Sequence, residues 1–109
     1  MAYDEGLAQR IRELLDERRD IGEKKMFGGL AFMLGGHMCV GVVKSDLMVR
    51  VGPDAYASAL AEPDAREMDF TGKPMRGLIY VDGEAVESDA RLEFWLARGV
   101  AYAGSLEPK

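Results

Sequence analysis

The only histidine and the only cysteine of the chain, His37 and Cys39, stand two residues apart in an apolar run that ends at Val43. On a strand that spacing puts both side chains on one face, about 7 Å apart at the Cα level, where an imidazole can lower a thiol's pKa and make it a nucleophile. A plainer account makes Cys39 a small buried hydrophobe and His37 the first residue after a turn. A second constellation is basic. Arg50 lies between Val49 and Val51, and Lys73 and Arg76 flank a turn. Together they would form a small anion pocket, the guanidinium's forked donors taking a carboxylate or phosphate. The alternative ties Arg50 to a structural acid such as Asp69. A third set is apolar. Methionine, present seven times, fills irregular core gaps and also serves adaptable binding surfaces. Phe27, Met33 and Met48 therefore either pack the interior or line a surface for a partner or a second copy.

Other chemistries lack their residues. Neither Gly28-Gly29 nor Gly35-Gly36 fits the dinucleotide fingerprint, and no Gly-Lys-Ser/Thr follows a glycine loop. One cysteine makes neither an internal disulfide nor a thiolate zinc cluster. The acids show no clustered spacing that selects a magnesium set, so no metal, cofactor or catalytic residue is assigned.

Composition narrows the classes further. With 109 residues, 48% of them hydrophobic and 30% charged, the chain suits one soluble domain with one core, spanning 1–109. No stretch approaches the roughly 18 to 20 apolar residues that cross a bilayer, and no basic region leads into an apolar one at the N-terminus. A cytoplasmic protein without membrane contact is expected. Fourteen Lys and Arg against 19 Asp and Glu give a net charge of −5, and neither half of the chain is basic, so direct nucleic-acid binding is disfavoured.

The elements that must position these residues follow from periodicity. From Asp4 to about Arg19, Leu7, Ala8, Ile11, Leu14 and Leu15 recur at helical spacing, with Asp4 as N-cap and Gly22 as stop. Leu30 to Leu34, Met38 to Val43 and Leu47 to Val51 read as strands. Gly35-Gly36 and Lys44-Ser45-Asp46 are short connections, which predicts a three-stranded antiparallel meander. Alternation puts Met38, Val40 and Val42 on one face of the middle strand, and His37, Cys39, Gly41 and Val43 on the other. Both faces are apolar and need cover. Gly52-Pro53-Asp54 opens a second helix through Tyr56, Ala59 and Leu60, which Pro63 ends. Gly77 to Val81 is a strand, and Glu67 to Phe70 is a weaker one. Ser88 caps a last helix whose stripe is Leu92, Trp95, Leu96, Gly99, Val100 and Ala103. Small residues at 99 and 103 permit close packing. The class is α+β: helix, three-stranded meander, helix, one or two further strands, helix. If the helices cover one face, the other needs a neighbour, which a homodimer or another protein would supply.

Four segments carry a family likeness: Met26 to Met33, Leu47 to Pro53, Met68 to Met75, and the closing Ser105-Leu106 with Pro108-Lys109. Together they resemble the TfoX/Sxy N-terminal domain, over almost the whole chain. The resemblance implies a compact α+β domain similar to secretion-chaperone-like folds. The family's namesakes regulate natural competence, acting with a cyclic-AMP-responsive transcription factor to switch on DNA-uptake genes. They carry a second, C-terminal domain, and the likeness here is to the N-terminal one. What the likeness implies is a stand-alone regulatory or protein-interaction module whose partner is a protein, a transcription regulator being the family precedent. It brings no catalytic residues.

Overall fold

A computed structural model describes residues 3–15, 20–26, 28–67 and 77–107, with the side chain of Met26 excepted. Its first helix, α1 (Glu5–Leu14), starts where the Asp4 carboxylate accepts the Leu7 amide at 3.1 Å, and it buries Leu7, Ala8 and Ile11. Described helix ends at Leu14, short of the Arg19 expected from periodicity; 16–19 lie outside the described residues.

Six strands follow: β1 (Ile21–Met26), β2 (Gly29–Leu34), β3 (His37–Val43), β4 (Asp46–Arg50), β5 (Ala65–Glu67) and β6 (Leu78–Val81). They form one antiparallel sheet in the order β1-β2-β3-β4-β6-β5. The expected meander of β2, β3 and β4 is present. Gly35 and Gly36, with φ of 60° and 84°, make the two-residue turn that needs positive φ at both positions. At the next turn Lys44 takes φ 54° and its carbonyl accepts the Asp4 amide at 2.6 Å, which ties the chain's start to the hairpin.

β1 was not expected, and Gly22 lies inside it instead of stopping a helix. Its sequence, Ile21 to Met26, lacks an apolar face because it is an edge strand, paired only with β2. Arg12 of α1 fastens it, donating to both carboxylate oxygens of Glu23 at 2.8 and 2.9 Å. The weak strand expected at Glu67 to Phe70 meets β5 only at Glu67, and 68–70 lie outside the described residues. The second helix, α2 (Tyr56–Leu60), begins three residues after Pro53 and is a little over one turn long.

A bulge decides which side chains share a face. Phe32 opposes Val40, yet Met33 opposes Met38, so Cys39 is an extra residue in β3. Strict alternation fails there. Cys39 joins Val40 and Val42 in the main core, while Met38 turns to the opposite face with Ala31 and Met48.

The main core lies between the sheet and the helices. α3 (Asp89–Ser105), capped by Ser88 accepting the Arg91 amide, buries Leu92, Trp95, Leu96, Gly99 and Ala103 against β3 and β4. α1, α2 and a 3-10 helix (Gly83–Val86) add Ile11, Ala59 and Val86 to the same cluster. All described helices thus contribute to one face of the sheet. Gly99 is the point of closest approach: a Cβ there would collide with the Cys39 carbonyl oxygen and come within 2.7 Å of Val40 Cγ1.

Two outcomes follow. Helix propensity alone makes Gly99→Ala stabilising by about 1 kcal/mol. The collision reverses the sign, and chemical denaturation should show a loss of about 1–3 kcal/mol, as for an overpacked core. The second concerns pH. The Arg12 guanidinium holds the Glu23 carboxyl below its ordinary 4.5. A carboxyl lowered on folding contributes stability that is present above its unfolded pKa and is lost as pH falls through the folded one. Because both groups are about one-third exposed, Glu23→Gln should cost less than about 1 kcal/mol at pH 7. Urea melts of variant and wild type should converge well below pH 4.5.

Candidate functional site

The second face of the sheet carries a separate apolar cluster made of strand residues alone. Met48 of β4 has no exposed surface and Met38 is 7% exposed, with Ala31 between strands β1 and β3 in the same row. Met33, Val43, Leu78 and Tyr80 surround them, half-buried. Gly41 makes the row possible: a Cβ on it would stand 2.6 Å from Met48 Cε. Of the sequence-derived surface candidates, Met33 and Met48 therefore share this face, and Met33 is the one with surface of its own. Phe27 lies outside the described residues.

Arg50 ends β4 opposite Leu78, and its guanidinium carbon lies 5.4 Å from the centre of the Tyr102 ring on α3. No described carboxylate pairs with it. Lys73 and Arg76, the other members of the expected anion pocket, lie outside the described residues, as does Asp69.

His37 and Cys39 have separate backbone partners. The Cys39 thiol, fully buried, donates to the Phe32 carbonyl at 3.1 Å. His37 Nε2 donates to the Glu107 carbonyl at 2.7 Å, which ties the end of the chain to the β2–β3 turn. That bond puts a proton on Nε2 and leaves Nδ1 buried with no partner among the described residues.

One cleft, about 630 Å³, opens between the start of α1, the β3–β4 turn and the 3-10 helix. Its carboxylates are largely committed to structure. Asp4 caps α1, Asp46 and Asp82 each accept from Arg66 at 2.9 Å, and Arg10 crosses its mouth to the Glu87 carbonyl and the Asp89 carboxylate. Among the described residues no group of three His, Cys, Asp or Glu could hold a metal ion. Nor is any described helix long and apolar enough to cross a membrane.

An antiparallel six-stranded sheet with helices on one face and a methionine-rich cluster on the other defines an α+β domain of the sheet-and-cover type. The TfoX N-terminal domain model matches residues 13–103, and the chain belongs to that family. Neither the curated proteins nor the solved structures gave a match.

Sequence reasoning missed one arrangement. Arg91, Phe94, Arg98 and Tyr102 sit at intervals of three and four residues on α3, a second stripe beside the buried one. The signal in the sequence is that three- and four-residue spacing of arginines and aromatics beside the apolar stripe.

The burial of Cys39 has a direct check. Ellman's reagent should leave the folded chain unmodified over minutes and label one thiol once denaturant is added. Fast labelling of the folded chain would contradict the placement of Cys39 in the core.

Proposed function

We propose that this chain is a small regulatory module without chemistry of its own, which works by binding another protein. The observation that carries the reading is the second apolar cluster, on the sheet face that no described helix covers. Methionine suits such a surface, since its unbranched side chain adapts to the shape it meets. Family membership supports a regulatory role related to competence, and the family's namesakes give a transcription regulator as the kind of partner. A net charge of −5 favours reaching DNA through that partner.

A second reading, an anion-binding domain or minor enzyme built around Arg50 with Lys73 and Arg76, has one observation in its favour. Arg50 has no carboxylate partner among the described residues.

Affinity capture from the native host tests the first reading. The wild-type chain should retain a specific protein, and Met33→Lys, which places a charge on the open face, should reduce its recovery about tenfold while the chain still melts cooperatively. Equal recovery would remove this face from the interaction. Light scattering at micromolar concentration separates a foreign partner from a second copy: a dimer mass that Met33→Lys converts to a monomer would make the chain its own neighbour.

A further inference from the structure

Beside its buried stripe, α3 carries Arg91, Phe94, Arg98 and Tyr102 down one flank, all partly exposed. The Phe94 ring holds two guanidinium groups: Arg98 Cζ lies 4.4 Å from its centre and Arg91 Cζ 4.6 Å. About two turns further on, Arg50 of β4 lies over the Tyr102 ring at 5.4 Å. The acids of the helix, Asp89 and Glu93, fall on the other side of it by helical periodicity. Arg91 donates to Glu62 at 3.1 Å, whereas Arg98 and Arg50 have no carboxylate partner among the described residues.

An aromatic ring takes no hydrogen bond from a guanidinium that lies over it, so Arg98 and Arg50 keep N–H donors for a ligand. In a chain of net charge −5 these cations form a local positive strip that an anion would complement. We propose that the strip docks an acidic segment of a partner protein. Carboxylates of the segment take the donors of Arg98 and Arg50, and its apolar side chains lie on Phe94 and Tyr102. The proposal rests on the reading that the chain binds a protein, and adds the chemistry of what is bound. A peptide fits better than a nucleic acid. A single strand carries one charge per roughly 3.4 Å, so phosphates beyond the few arginines would face an acidic surface. A peptide can place carboxylates opposite the guanidinium groups and nowhere else.

The test uses fluorescein-labelled hexaglutamate titrated with the full chain at low salt, followed by anisotropy, with a labelled thymidine oligonucleotide in parallel. Arg98→Gln and Arg50→Gln retain side-chain stems over the rings, and a thermal melt checks that each variant is folded. Saturable binding is expected, weakened about fivefold by either substitution and further by both, and falling as salt is raised. No binding at millimolar chain, folded variants that bind as the wild type does, or tighter binding of the oligonucleotide than of hexaglutamate would each overturn the proposal. A host protein captured equally well by wild type and Arg98→Gln would also overturn it, while leaving the partner-binding reading intact.

Discussion

The seating of α3 on the bulge in β3 governs the rest of the structure. With no side chain at Gly99, the helix backbone comes down onto the Cys39 carbonyl, and the extra residue in β3 gives it that place to land. The contact is local, but its effects are not. It sets the depth at which Trp95 and Leu92 enter the core, both fully buried, and brings the main apolar layer together on one side of the sheet. The bulge also turns Met38 away from Val40, so the irregularity that makes the landing place for the helix at Cys39 also adds Met38 to the opposite face.

Two surfaces result from this one arrangement. The face away from the helices keeps a small cluster with Met48 sealed at its centre and Met33 at its margin. A flank of α3 beside its buried stripe carries arginines lying over the Phe94 ring, and Arg50 joins it from the end of β4 over Tyr102. Arg50 stands opposite Leu78, a member of the second cluster, so the strip and the open face meet at that end of the sheet. The 630 Å³ cleft is a different kind of feature. Of its carboxylates, Asp46 and Asp82 are engaged with Arg66 and Asp4 with the Leu7 amide, while Arg10 reaches the Glu87 backbone carbonyl, which makes it a brace between α1, the β3–β4 turn and the loop after β6.

Much of this was legible in the sequence wherever one short-range rule sufficed. Gly35-Gly36 specified its turn, Asp4 and Ser88 specified their caps, and the stripe from Leu92 to Ala103 specified the buried side of α3. What was not legible depended on pairing. β1 has no apolar alternation because an edge strand with one neighbour does not need it, and its attachment through Arg12 and Glu23 joins residues of different elements. The bulge at Cys39 leaves no mark in the local sequence, since Val40 and Cys39 are equally apolar. Its consequence, a reversal of face at Met38, appears only when β2 lies alongside. Of the site candidates, Arg50 was singled out by its charge among valines, but the ring that holds it is on α3 and far away in sequence.

Among the described residues, helices cover one apolar face of the sheet and none covers the other. Methionine methyl NMR with a soluble paramagnetic probe measures this directly, because broadening reports how closely solvent approaches each methyl. Strong broadening of Met33, with Met48 spared, is the expected result. Protection of Met33 equal to that of Met48 in the isolated chain would contradict an open face.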